Sequence, residues 1–390
     1  MLPLLEGIFN GISIGSVLLI AALGLAIVFG LMGVINLAHG ELMMLGAYAT
    51  FVVQNFFKAF FADSPLFDFY MFFALPVAFI VAALVGLALE KGVIRYLYGR
   101  PLETLLATWG VSLILRQFVR SVNWILVIGI AVFCLLFFGA ISFLRRRLDW
   151  HLIRSWATTI VLLISSAIAL VTGLLLGQTG QQVITRPWFS ARNVDVTPPG
   201  WLQSGLRIGT TQFAYSRIFI IVLTIMCLLG TYWFLNRSSW GLRIRAVTQN
   251  RSMSACLGIP TEKVDALTFA LGSGLAGIAG CAITLLGSVG PNTGQNYIVD
   301  TFMVVVVGGV GNLLGSIVAA MAIGTVVYLI GSGTIYFTLA PVEILQPVAN
   351  FFEFFATTSM SKVMVFALII AFLQWKPAGI FPQKGRGAEL

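Results

Sequence analysis

Few side chains in this sequence could carry a reaction. His39 and His151 are its only histidines, and Glu41, Asp265 and Asp300 are separated by long stretches of chain. There is no HExxH and no plausible pair of intramembrane aspartates, so hydrolytic chemistry lacks its groups. GxxxxGK[ST] is absent too, so no P-loop cradles a nucleotide. Cys134, Cys227, Cys256 and Cys281 are scattered without a CxxC or Cys/His cluster, which argues against disulfides and structural zinc. No catalytic residue, metal site or cofactor is expected, and an intramembrane enzyme is disfavoured. The remaining polar groups must position helices or line a route.

Residues 35–48, INLAHGELMMLGAY, hold the densest set. In one continuous helix Asn36 and His39 would share a face with Met43, and Glu41 would point about 200° away from His39. An ionised Glu41 at mid-membrane would cost roughly 2.5–3.5 kcal/mol. A cheaper arrangement starts a new helix after Gly33, with Asn36 as cap, Glu41 near the positive helix end and Gly40 allowing close backbone approach. Either this is a cap that reorients the chain, or Asn36 and His39 face a translocation path near the inner side.

Three other stretches carry polar or glycine patterns. In GRPLETLLATWGVSLILRQFVRS, residues 99–121, Glu103 follows Pro101 at a helix start, and Thr104, Thr108 and Ser112 recur every four residues. Such a hydroxyl face lines a polar path or bonds back to its own carbonyls. In VVVVGGVGNLLGS, residues 304–316, Gly308 and Gly309 with Gly311 and Gly315 separate two apolar pieces. They mark either a broken helix along the path or a tight hairpin at the inner surface. Residues 237–263 mix arginines with Ala246, Met253, Ala255, Leu257 and Ile259 before a Gly258-Ile259-Pro260 stop. A plain connector needs only a few residues, so this length suggests a docking element for a cytoplasmic partner.

The elements that must position these residues are membrane helices. The chain has 390 residues, 59% hydrophobic and 9% charged, whereas soluble domains carry roughly 25% charged residues. An all-α polytopic protein is expected, with about eleven membrane segments, two of them short or broken: 5–30, 35–57, 70–92, 104–121, 124–144, 156–177, 213–235, 264–287, the pair 299–309 and 312–331, and 361–375. No basic n-region and cleavage site open the chain, so the first run is read as a permanent span. Brief connections suggest a single transmembrane domain over 1–390. Gly7, Gly11 and Gly15, and likewise Gly272, Ala276 and Gly280, form small-residue stripes for close helix packing or for a dimer seam.

The net charge of +9 reports orientation rather than nucleic-acid binding. With the N-terminus outside, the inner loops hold Lys91, Arg95, Arg100, Arg145 to Arg147, Arg154, Arg237, Arg243, Arg245, Arg251, Lys263, Lys376, Lys384 and Arg386. These are most of the basic residues, so an outside N-terminus and an inside C-terminus are expected.

INLAHGELMMLGAY, GRPLETLLATWGVSLILRQ, RAVTQNRSMSACLGIPTEKVDALTFALGSGLAGIAG and VVVVGGVGNLLGS together resemble the permease subunits of branched-chain amino-acid-type ABC importers, and within them the urea-importer B permeases. The resemblance covers roughly 1–121 and 188–390. It implies a bacterial cytoplasmic membrane and a second homologous permease subunit. It also implies two cytoplasmic ATP-binding subunits, a periplasmic solute-binding protein, and urea as cargo. On this likeness the coupling loop to the ATPases is Arg243 to Pro260, with Arg243, Arg245, Arg251, Ala255, Gly258, Ile259 and Pro260. Candidate path residues are Asn36, His39, Thr104, Thr108, Ser112, Gly308 and Gly309. Residues 122–187 depart from the family pattern as a two-helix insertion around RRRLDWHLIR. Branched-chain amino acids or another small amide are the alternative cargo. A stand-alone urea channel and a secondary transporter are the alternative mechanisms, though the sparse acids disfavour the latter.

Overall fold

The computed structural model describes residues 2–61, 64–147, 150–178, 185–189, 192–208, 211–341 and 345–381. Lys384 and Arg386 of the orientation argument lie outside them. Fifteen α-helices are described: α1 (Leu2–Met32), α2 (His39–Phe61), α3 (Tyr70–Gly92), α4 (Pro101–Ser121), α5 (Trp124–Arg147), α6 (Trp150–Gln178), α7 (Tyr215–Arg237), α8 (Ser239–Gln249), α9 (Arg251–Cys256), α10 (Thr261–Ile283), α11 (Thr293–Gly308), α12 (Leu313–Gly331), α13 (Thr334–Leu339), α14 (Gln346–Phe354) and α15 (Thr358–Trp375). A two-stranded antiparallel hairpin, β1 (Gly205–Ile208) and β2 (Thr211–Ala214), precedes α7. Among the described residues, eight helices are long and apolar enough to cross a membrane; α2, α4 and the sixteen-residue α11 are not among them. The polytopic helical class expected from composition is the class observed.

The chain forms two compact units, residues 1–113 with 193–390, and residues 114–192. In the first, α1 and α10 are the most enclosed spans, and α1 packs on α12 and α10 while α10 packs on α3 and α2. Glycine makes those crossings close. A Cβ on Gly11 would lie 2.6 Å from the Thr325 Cα of α12, and one on Gly272 would lie 2.6 Å from the Gly24 carbonyl of α1. Gly280 abuts the Met43 carbonyl of α2. Both small-residue stripes are therefore occupied by contacts within the chain, not by a subunit seam.

Residues 197–201 run beside the α2–α3 turn. The Thr197 carbonyl accepts from Gln54 Nε2 and Tyr70 Oη at 2.7 Å each, and Gly200 N–H donates to Asp68 Oδ1 at 2.7 Å. In the second unit α5 and α6 pack on each other and are otherwise almost entirely unburied. That is the exposure expected of a hairpin facing lipid. Asn123 caps α5 by accepting from Leu126 N–H at 2.8 Å. Trp188 N–H donates to the Val122 carbonyl at 2.9 Å, so the chain leaves and returns at one point.

Candidate functional site

The break inside INLAHGELMMLGAY is the first element of the site. Gly33, at φ +68°, closes α1, and α2 begins only at His39. Between them the chain doubles back along α1: His39 Nε2 lies 3.0 Å from the Ala21 carbonyl and donates its N–H to it. Ala21 is eleven residues before the end of α1, about 16 Å at 1.5 Å per residue. A stretch of non-helical backbone is thus carried deep among the helices, where each N–H and C=O needs a partner inside the protein. Asn36 supplies one, its Oδ1 accepting from Ala38 N–H at 3.0 Å. This is the arrangement with a new helix after Gly33, and Asn36 is outside α2 rather than on its face.

The hydroxyls of α4 supply more. Thr108 Oγ1 accepts from Leu37 N–H at 3.2 Å and lies 3.4 Å from the Ile35 carbonyl. Thr104 Oγ1 donates within its own helix start, to Arg100 O at 2.8 Å or Leu97 O at 3.0 Å. Ser112 Oγ donates to Glu41 Oε1 at 3.0 Å. The three hydroxyl residues are 2%, 1% and 5% exposed, so in this conformation they form an enclosed face and not an open route, with Thr108 bonded to the break and Ser112 to Glu41.

Glu41 lies in the first turn of α2 and is 1% exposed. Gly40 abuts Gly294 in the first turn of α11, and a Cβ on Gly294 would lie 2.8 Å from Glu41 Oε2. Two positive helix ends therefore converge on one carboxylate. At about 0.3–1 kcal/mol each, up to about 2 when partly buried, they and the Ser112 hydrogen bond offset a burial cost of roughly 2.5–3.5 kcal/mol.

Gly308 and Gly309 sit elsewhere. They make the α11–α12 turn, with Gly309 at φ +98° and Gly308 packed on Gly315. Residues 378–381 cover that turn, Ile380 N–H donating to Val307 O at 2.8 Å. It is a tight hairpin, not part of the Asn36–Glu41 cluster.

The arginine-rich connector folds as two helices. Ser238 caps α8 and Asn250 caps α9, each accepting from a backbone N–H at 2.9 Å, and Gly258 at φ +79° ends α9. Ile244 and Val247 bury against Val264, with Ile259 half-buried beside them. Arg243, Arg245, Ala255, Gly258 and Pro260 are exposed, as are Leu242, Met253 and Leu257 at 62%, 58% and 75%. Exposed arginines interleaved with exposed apolar side chains form a surface suited to a partner.

Arg251 differs from its neighbours by pairing with a buried acid, while staying exposed itself. Its Nη2 pairs with Asp265 Oδ2 at 2.6 Å, and its guanidinium lies 4.7 Å from the Tyr98 ring centroid. Arg95 pairs with Glu262 at 3.1 Å and approaches buried Glu90 at 3.7 Å. These contacts bind α9 to α10, to the end of α3 and to the 93–100 connector. Burial, with Asp265 and Glu90 nearby, pushes the Tyr98 hydroxyl up, so its ring stays a neutral platform.

A polar cavity of about 270 Å³ lies at the other end of α10. Asn193, Ser288, Asn292, Thr293, Asn296 and Tyr297 line it. None of them emerged from the sequence reading, although the amide cluster in PNTGQN, residues 291–296, directly before an apolar run, is the signal that marks them.

The family model described as "Branched-chain amino acid transport system / permease component" matches residues 7–128 and 111–373. The high-affinity branched-chain amino acid transport system permease protein BraD of Pseudomonas aeruginosa is 24% identical over 82% of this chain and 84% of its own. LivH of Escherichia coli K12, which carries the same description, is 22% identical over 96% and 94%. The fructose import permease protein FrcC of Rhizobium meliloti is 29% identical over 30% of this chain and 34% of its own. No solved structure matches the chain. With the family model spanning nearly the whole sequence, this membrane-spanning chain belongs to the family of permease components of branched-chain amino acid transport systems.

Proposed function

We propose that this chain is one of two permease subunits of an ATP-driven importer in a bacterial inner membrane, and that its cargo is urea. The N-terminus lies outside and the C-terminus inside. The α8–α9 surface, Arg243 to Pro260, receives a cytoplasmic ATP-binding subunit, and the opposite end receives a periplasmic binding protein. A homologous permease completes the pore.

The observation that carries the cargo assignment is the state of the buried acids. Among the described residues there are four: Glu41, Glu90, Asp265 and Asp300. Each already has a partner, respectively Ser112, Arg95, Arg251 and Lys362. The three of these four that meet a cation have no spare charge for the ammonium of an amino acid, whereas neutral urea requires only donors and acceptors. The likeness of residues 99–121 to urea-importer permeases points the same way. The printed descriptions of the relatives favour a second reading, branched-chain amino acids. Uptake in a strain lacking this gene separates the two: loss of energised urea uptake with leucine uptake intact supports urea, and the reverse assigns the amino acids.

A further inference from the structure

We infer that the cavity over the first turn of α11 is the outer solute site of this permease, built for a small neutral amide. The inference rests on the cargo and orientation proposed above. Its ten lining residues include no carboxylate, ammonium or guanidinium, and six of them offer amide or hydroxyl side chains. The walls are fixed rather than loose. Val194 and Val289 exchange two backbone hydrogen bonds at 2.7 and 2.9 Å, and Gly290 N–H donates to Thr293 Oγ1 at 2.8 Å. Asn193 Nδ2 lies 3.4 Å from Ser288 Oγ across the same wall.

Depth supplies a second argument. Gly294 touches Gly40, and the neighbouring His39 is bonded to Ala21 far inside α1, so α11 starts well within the helical bundle. Yet Asn292, Gln295 and Asn296 are exposed on that first turn. Hydrocarbon cannot satisfy an amide, so this face meets a water-filled passage or the second subunit that encloses one. One turn further on, the exposed residue is Val299, and the face becomes apolar. A polar entrance that narrows onto apolar wall suits a solute that must bind and then leave.

Charge sets the ligand class. The asparagine Nδ2 groups donate to a carbonyl oxygen, and the asparagine oxygens accept from amide N–H groups. Asp300, the acid of this helix, is held by Lys362 Nζ at 2.6 Å. A zwitterion would find a place for its carboxylate and none for its ammonium. The cavity sits beside Ile283, and α8 and α9 adjoin the Thr261 end of the same helix, about 34 Å away along its axis.

The test uses the full importer, with both permeases, the ATP-binding subunits and the binding protein, in proteoliposomes. Uptake of labelled urea and labelled leucine is measured for the wild type, Asn296→Leu and Asn296→Gln, each checked for assembly by size exclusion. Asn296→Leu is expected to raise the half-saturation for urea about tenfold, the equivalent of one hydrogen bond. Asn296→Gln is expected to recover much of it. If Asn296→Leu does not assemble, Asn193→Leu on the loop side of the cavity is read in the same way. Urea uptake at wild-type half-saturation in an assembled leucine variant overturns the site. A wild-type importer that moves leucine and not urea overturns the cargo reading instead.

Discussion

Thr108 does for the backbone at Leu37 what the next helical turn does elsewhere. Its hydroxyl accepts the Leu37 N–H at 3.2 Å in a stretch that no helix can satisfy. Thr108→Val keeps the shape and removes the partner, so it is expected to destabilise the purified protein by about 1–3 kcal/mol, while Thr108→Ser stays near the wild type. Thermal unfolding in detergent checks the pair, and equal melting of both variants would show that the hydroxyl is not what closes the break. Gly40 gives a steric counterpart. A Cβ there would stand 2.8 Å from the Gly294 carbonyl carbon and 2.9 Å from Ile298 Cβ. Gly40→Ala is therefore expected to cost at least the 1–3 kcal/mol typical of overpacking, roughly, and to lower the yield of folded protein. Part of this was legible in sequence: a glycine and an early acid mark a helix restart, whereas Asn36, expected as its cap, lies before the helix and bonds Ala38 N–H. The partner of that restart was not, because Thr108 is 71 residues from Leu37 and its spacing alone equally describes a lining face.

At the scale of elements, α8 and α9 separate two roles for arginine that look alike in the sequence. Arg243 and Arg245 are exposed, and Arg251 is tied to Asp265 at 2.6 Å. Replacing Arg243 and Arg245 with Glu is expected to abolish uptake while insertion and thermal stability stay unchanged. Arg251→Gln is expected to lower stability as well, by on the order of 1–3 kcal/mol, because it leaves a buried carboxylate without its cation. Melting curves beside uptake assays distinguish the two, and uptake by the double Glu variant would remove α8–α9 from the coupling role. The length and composition of residues 237–263 led to the expectation of a docking element, but the pairing of Arg251 depends on Tyr98 and Asp265, which only the fold brings beside it. The glycine stripes behaved similarly. Their spacing announced close packing, and the choice of α12, α1 and α2 as neighbours required the tertiary structure.

For the whole molecule, hydropathy carried the class and most span boundaries, since long apolar runs have one solution in a bilayer. It carried less where polar residues interrupt a run: α2 starts four residues later than expected, and α11 starts six residues earlier. The α5–α6 hairpin offers a test at this scale. Because Val122 and Trp188 are hydrogen-bonded, deleting residues 123–187 joins neighbouring points, and we expect the shortened chain to insert and to support uptake. Loss of insertion on deletion would assign the hairpin a place in the folding of the permease.

The central claim is ATP-driven passage of a neutral amide through this subunit. Proteoliposomes holding the complete importer should accumulate labelled urea against a gradient only when ATP and the binding protein are both present. Urea that merely equilibrates without ATP would make the chain a channel, and accumulation of leucine in place of urea would contradict the reading of its paired acids.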